Sequence, residues 1–285
     1  MKKIAIFFLI SILSFNLLYS QANATSTYKE TDDGWGYHMG FADNFHNGMC
    51  IRKYFGGKEH LIVPDKIYGW ETYSICSQVF ANHDYLKTVI LPPNLSKLGG
   101  STFFGCDALE KVTFTGNTSL AATAFKNCVK LKEIILPDAI ITLPEHVFEN
   151  CTSLTSIQLP SKLVYIKPSA FKGCSSLTSI SFPYQPNFSM FIESNAFTDC
   201  TSLTTIYFRD FRSNIAEDAF TNVTATVYYD TNDPYVSEAK MKNYGGNLTW
   251  IALEQMPEYI PPASAEYPSD APTYPVLPNV PTTEA

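Results

Sequence analysis

Five Phe-x-x-Cys pairs recur along the middle of the chain: Phe103/Cys106, Phe125/Cys128, Phe148/Cys151, Phe171/Cys174 and Phe197/Cys200. Their cysteines are spaced by 22, 23, 23 and 26 residues. Three residues after each cysteine stands Leu109, Leu131, Leu154, Leu177 or Leu203. Three further on stands Val112, Ile134, Ile157, Ile180 or Ile206. Two beyond that comes Phe114, Leu136, Leu159, Phe182 or Phe208, with proline next in three of the five units. Five positions before each phenylalanine, an apolar residue from Leu98 to Ile192 completes the pattern, and Ile215 precedes Phe220 in the same way. A repeat of this kind leaves few architectures open, because no single unit can bury its own apolar face and stability requires neighbours to stack.

The register decays outward but persists. Phe80, His83, Leu86, Val89 and Leu91 fit it upstream, with histidine in the cysteine slot. Phe220 and Val223 fit it downstream, with valine there, and Ile51, Leu61, Val63 and Ile67 form a degenerate first unit. The repeat region therefore runs over residues 51–229 as about seven units of roughly 23 residues. The Leu-x-x-Ile-x-Leu half of a unit ends in alternation and predicts a short strand, which the following proline stops. The Ala-Phe-x-x-Cys-x-x-Leu half has three-residue spacing and predicts a short helical or 3₁₀ turn that buries Phe and Cys. Stacked units give continuous apolar columns and a parallel sheet along one face. That is an α/β repeat solenoid, with a unit length inside the range of leucine-rich repeats.

One unit, Ile166-Lys-Pro-Ser-Ala-Phe171-Lys-Gly-Cys174-Ser-Ser-Leu177-Thr-Ser-Ile180-Ser-Phe182-Pro183, resembles the BspA-like leucine-rich-repeat family of surface and secreted proteins. The resemblance implies a right-handed solenoid and a role in adhesion or protein binding, and it brings no catalytic residues. Two departures stand out. The unit between Cys174 and Cys200 holds three extra residues around Pro183–Met190, and the unit after Phe114 is one residue short.

The flanks read differently. Lys2-Lys3, an apolar run from Ile4 to Leu18 and the small residues Ala22 and Ala24 predict a cleaved export signal over residues 1–24. The run is shorter than the roughly 20 residues of a spanning helix, so no transmembrane anchor is expected in the mature chain. Residues 25–50 are expected to cap the solenoid and 230–255 to close it, with a short helix over Pro234–Tyr244 and a closing strand over Leu248–Leu253. Residues 256–285, with proline every few positions, are expected to be a disordered tail. The expected location is secreted or cell-surface associated.

An exported chain with seven cysteines raises the question of disulfides. Five of the seven share one repeat slot, and a slot that also accepts Val223 is a packing position. Those five are expected to be buried free thiols. Cys50 with Cys76 is the only pair considered for a bridge.

Nothing catalytic emerges. Gly-x-Ser-x-Gly, His-Glu-x-x-His and the Walker pattern are absent, and no Cys or His pair has metal-ligand spacing. No enzyme, cofactor or metal is expected. The net charge of -7 becomes -9 once Lys2 and Lys3 are removed, which disfavours a nucleic acid as partner. The expected partner is an extracellular protein on a host or neighbouring cell; a glycan and a purely structural surface role are the alternatives.

Solenoids bind through the solvent side of the ladder. Its two exposed columns read Thr88, Lys111, Glu133, Ser156, Ser179, Thr205 and Ile90, Thr113, Ile135, Gln158, Ser181, Tyr207. Ile90, Lys111, Glu133, Ile135, Gln158 and Tyr207, with Tyr184, Phe188 and Phe191 of the insertion, form the expected partner-binding face. Thr and Ile also suit strands for their own sake.

Overall fold

The computed structural model describes residues 29–31, 34–39, 49–184, 188–209, 212–254, 257–258 and 268–269. The expected export signal over 1–24 lies outside them, as do most of the 25–50 segment and nearly all of the 256–285 tail.

The chain winds as a β-solenoid of about nine turns. Nearly every repeat contributes two strands, so two rows of strands run along the axis. The first row is the one the alternating pattern announced. It comprises His60–Ile62, Thr88–Leu91, Lys111–Phe114 and Glu133–Ile135, then Ser179–Ser181, Thr205–Phe208, Thr224–Asp230 and Asn247–Leu253. Within each of these two groups of four, neighbours pair in parallel, one coil apart: Val89 faces Val112, and Ile180 faces Ile206. Those residues are buried, while Ile90, Lys111, Tyr207 and their like point outward.

The second row was not foreseen as strands. It is built on the apolar residue that precedes each phenylalanine by five. Its members are Met49–Tyr54, Trp70–Ile75, Lys97–Leu98 and Ser119–Leu120, then Thr142–Leu143, Tyr165–Ile166, Phe191–Ile192 and Asn214–Ile215. At its N-terminal end Trp35–Met39 adds antiparallel to Met49–Tyr54, and Lys29–Glu30 adds antiparallel to Trp35–Met39. A disulfide joins Cys50 to Cys76 across this end.

Both rows are interrupted. The second opens between Ser119–Leu120 and Thr142–Leu143. In other coils the residue after the strand donates to the previous coil: Gly99 to Ile75, Lys167 to Leu143, Glu193 to Ile166 and Ala216 to Ile192, all at 2.8–3.0 Å. Pro144 occupies that position in the interrupted coil and has no amide hydrogen to give. The first row opens at residues 156–158, which take no strand conformation.

The expected helical turns are replaced by another device. Among the described residues the only helix is the 3₁₀ turn Glu238–Lys240. In the Phe-Cys half, the residue two after each phenylalanine adopts positive φ, and so does the residue two before each except Phe220. Ser101 and Gly105 flank Phe103, Thr123 and Asn127 flank Phe125, and Ser169 and Gly173 flank Phe171. Two left-handed residues four apart prevent any helix from propagating. Alternate amides instead bond along the axis: Ser101, Phe103 and Gly105 donate to Ala122, Ala124 and Lys126 of the next coil. Between them run three-residue turns, Phe104 to Ser101 and Cys106 to Phe103. The three-residue spacing was real, but it marks turns joined into a ladder. The later slot holds Asn82, Gly105, Asn127, Asn150, Gly173, Asp199 and Asn222, residue types that tolerate this backbone.

The core is a set of columns. Phe80, Phe103, Phe125, Phe148, Phe171, Phe197 and Phe220 stack ring on ring at 5.0–5.5 Å. Burying each such ring contributes roughly 1.5–3 kcal/mol. Beside them the five repeat cysteines are buried and unbridged. Each thiol donates to a phenylalanine carbonyl one coil back, from Cys106 to Phe80 at 2.9 Å through Cys200 to Phe171 at 3.1 Å. His83, in the same slot, places Nε2 3.2 Å from the Tyr54 carbonyl.

The expected helix over Pro234–Tyr244 shrinks to the Glu238–Lys240 turn, which has no buried residue. Without an apolar face to pack, so short a segment cannot meet the cost of helix nucleation.

Candidate functional site

The outer side of the first row is the surface where exposed side chains line up by register. In the N-terminal half, Lys111 pairs with Glu133, the Nζ–Oε1 distance being 2.9 Å. Both are well exposed, and such pairs contribute little. Ile90 and Ile135 are half-buried in the next column, with Thr113 between them. Gln158 is exposed but lies in the interruption, so it joins neither half of the ladder.

The C-terminal half is different. Ser181 faces Tyr207, Tyr207 faces Tyr228, and Tyr228 faces Ile251. The two tyrosine rings stack at 5.6 Å and 25°, and Ile251 is 42% exposed. The parallel column reads Ser179, Thr205, Thr226, Thr249, a row of hydroxyls. An uncharged aromatic strip with a polar margin is thus held rigidly on four hydrogen-bonded strands.

The insertion sits at the corner between the two rows. Tyr184 is 51% and Phe188 62% exposed. The Arg212 guanidinium lies 5.6 Å from the Tyr184 ring and 5.2 Å from that of Tyr235, a cation–π pair of contacts. A shallow groove of about 230 Å³ is lined by Tyr184, Arg209, Asp230, Asn232 and Asp233. Arg209 Nε donates to Ser181 Oγ at 3.3 Å, tying this corner to the strand face.

Phe191 is not brought to Tyr207. It lies in the second row and stacks on Tyr165 at 5.1 Å, where Lys167 also covers the Tyr165 ring. The nine expected residues therefore fall into separate groups: Ile90, Lys111, Glu133 and Ile135 before the interruption, Gln158 within it, Tyr207 beyond it, Tyr184 and Phe188 at the corner, and Phe191 on the other row. Tyr228, Ile251, Arg212 and Tyr235 were missed. Continuing the outer column by two strands would have found Tyr228 and Ile251. Arg212 and Tyr235 meet only through folding, and no spacing announces them.

The thiols offer no nucleophile. Burial pushes Cys106 and Cys200 up to about 12, and Cys128, Cys151 and Cys174 well above the ordinary value. Among the described residues no three His, Cys, Asp or Glu side chains group as a metal site. No helix among them is long and apolar enough to cross a membrane.

The nearby solved structures include a leucine-rich-repeat protein of T. pallidum. It is 22% identical, with a TM-score of 0.57, over 75% of this chain and 93% of that one. A leucine-rich cell-surface protein of Faecalibacterium prausnitzii is 14% identical over 81% of this chain and 97% of that one, with a TM-score of 0.39. A search of curated proteins finds no match. The model of the BspA-type leucine-rich-repeat region matches residues 67–120 and 108–227 in six copies. With more than half of its length matched, the chain belongs to the BspA-type leucine-rich-repeat family.

Proposed function

We propose that this chain is a non-enzymatic binding module, exported and either released or held at the cell surface, that engages an extracellular protein through its outer ladder. The observation that carries this reading is the Tyr207–Tyr228–Ile251 column. Tyr207 and Tyr228 are half-buried and Ile251 is exposed, and aromatic residues held on paired strands anchor protein interfaces at low entropic cost. The two stacked tyrosines lie beside the hydroxyl row Ser179, Thr205, Thr226 and Thr249, which supplies hydrogen-bonding groups at the margin of the strip. Membership of a family of surface repeat proteins supports the same reading.

The test is capture of extracellular proteins on the immobilised chain, beside a glycan array. Tyr207→Ala with Tyr228→Ala should weaken protein capture tenfold or more, about 1.4 kcal/mol. Capture untouched by both substitutions rejects this face. Glycan binding lost on Tyr184→Ala and Phe188→Ala would favour the corner and the glycan reading instead.

A further inference from the structure

We infer that the chain's own segment Tyr259–Pro262, which lies outside the described residues, seats in the corner groove as a strap beside the outer ladder. Three hydrogen bonds trace the chain into that groove after its last strand, Asn247–Leu253. The Thr231 amide donates to the Leu253 carbonyl at 3.3 Å, Asn232 Nδ2 to the Glu254 carbonyl at 3.4 Å, and Arg209 Nη2 to the Pro257 carbonyl. Register gives the direction of travel. Leu253 stands opposite Asp230, and continuing the pair Tyr229–Phe208 sets Asp230 beside Arg209. By Pro257 the chain has therefore turned back along the axis by two coils.

The groove continues the same way, with Asn232 and Asp230 at its near end, Arg209 next and Tyr184 at the far end. The Phe182 amide donates to the Tyr207 carbonyl, which places Pro183 and Tyr184 one coil beyond Arg209. Coils lie about 4.8 Å apart, and a polyproline segment rises about 3.1 Å per residue. Some two residues past Pro257 the chain reaches Tyr184, so Tyr259-Ile260-Pro261-Pro262 runs past that ring.

The chemistry of groove and segment agrees. Proline-rich segments are preorganised and dock on aromatic-lined grooves, and Tyr184 is 51% exposed where the prolines arrive. A polyproline segment makes no internal hydrogen bonds, so its carbonyls take donors from the surface beneath. Arg209 and Asn232 already serve Pro257 and Glu254 in this way. Covalent attachment presents the segment at an effective concentration on the order of millimolar, which favours it over any free peptide of the same kind. Arg209 and Asp230 each stand two residues beyond Tyr207 and Tyr228, so the strap runs along the margin of the aromatic strip.

The test uses the full chain with its C-terminus intact and no ligand, so it is independent of what the outer face binds. Ala263→Cys carries a nitroxide, while the repeat thiols are buried and stay unlabelled. Paramagnetic broadening of backbone amides is then read by nuclear magnetic resonance. A seated strap puts the maximum at Tyr184 and Arg209, whereas a tail that only hangs from the last strand puts it at Leu253. Adding Tyr184→Ala should move the maximum from Arg209 back to Leu253 with the melting temperature unchanged. A maximum at Leu253 in the chain that keeps Tyr184 overturns the proposal, as does a pattern indifferent to Tyr184→Ala. In a mixture of nitroxide-bearing and isotope-labelled chains, broadening at Tyr184 of the isotope-labelled chain would assign the groove to another copy and overturn it as well.

Discussion

The Cys151 thiol donates to the Phe125 carbonyl at 3.2 Å, one coil back along the solenoid. Five such bonds run in series, so the cysteine column serves both as packing and as an axial tie. A buried thiol in this setting is neutral and inaccessible. Thiol reagents should find five reactive groups after denaturation and none in the native protein; a native count above zero would mean that the column is open.

The same burial makes stability depend on alkaline pH. Unfolded thiols lose their protons near the ordinary value of 9.0, whereas folded Cys106 and Cys200 keep theirs until about 12. Between these values the native state binds more protons than the unfolded state. Stability is therefore fully present below pH 9 and falls as pH rises toward 12, by at most about 1.4 kcal/mol per pH unit for each thiol. Urea denaturation at pH 8 and pH 10.5 measures it. Cys106→Val with Cys200→Val should reduce the slope, the remainder being carried by the raised Cys128, Cys151 and Cys174, and an unchanged slope would assign the loss to other groups, such as the raised Tyr85 and Tyr244.

The Cys50–Cys76 disulfide closes a span of 26 residues at the N-terminal end. Replacing both by serine should cost about 3 kcal/mol of unfolding free energy. Reductant should lower the melting temperature of the native chain and leave that of the double variant unmoved.

Thr123 holds φ at 59°, a β-branched residue in a left-handed slot that other coils fill with residues such as Asn195. Thr123→Asn should stabilise the fold by about 1 kcal/mol, and Asn127→Ala should destabilise it by about the same amount. Chemical denaturation of the two variants checks the opposed signs.

The interruption at residues 156–158 removes strand pairing where the flanking strands keep theirs. Native-state hydrogen exchange should be faster there than in Lys111–Phe114 or Thr205–Phe208, by tenfold or more. Equal protection would show that the ladder is continuous.

The repeat, its core columns and the unbridged state of its five cysteines were legible in the chain itself. Apolar residues recurring every 22 to 26 positions have one economical use, and a slot that accepts both Cys and Val223 is a packing slot. The helical turns were misread because three-residue spacing is shared by 3₁₀ helices and by successive turns. What separates them is backbone handedness at residues such as Ser101 and Gly105, which side-chain periodicity does not record.

The candidate face shows the same division. Alternation alone decided which side of each strand looks outward, because the side-chain period of a strand is two. It could not decide which outward residues meet. Tyr207 meets Tyr228, and Tyr228 meets Ile251, because consecutive coils pair in register, whereas Phe191 is carried past the corner to Tyr165. Arg212 finds Tyr184 and Tyr235 only because the coils stack. Local pattern set the inside and outside of each turn; the hydrogen bonds between coils, and their interruptions at Pro144 and at residues 156–158, set the neighbours.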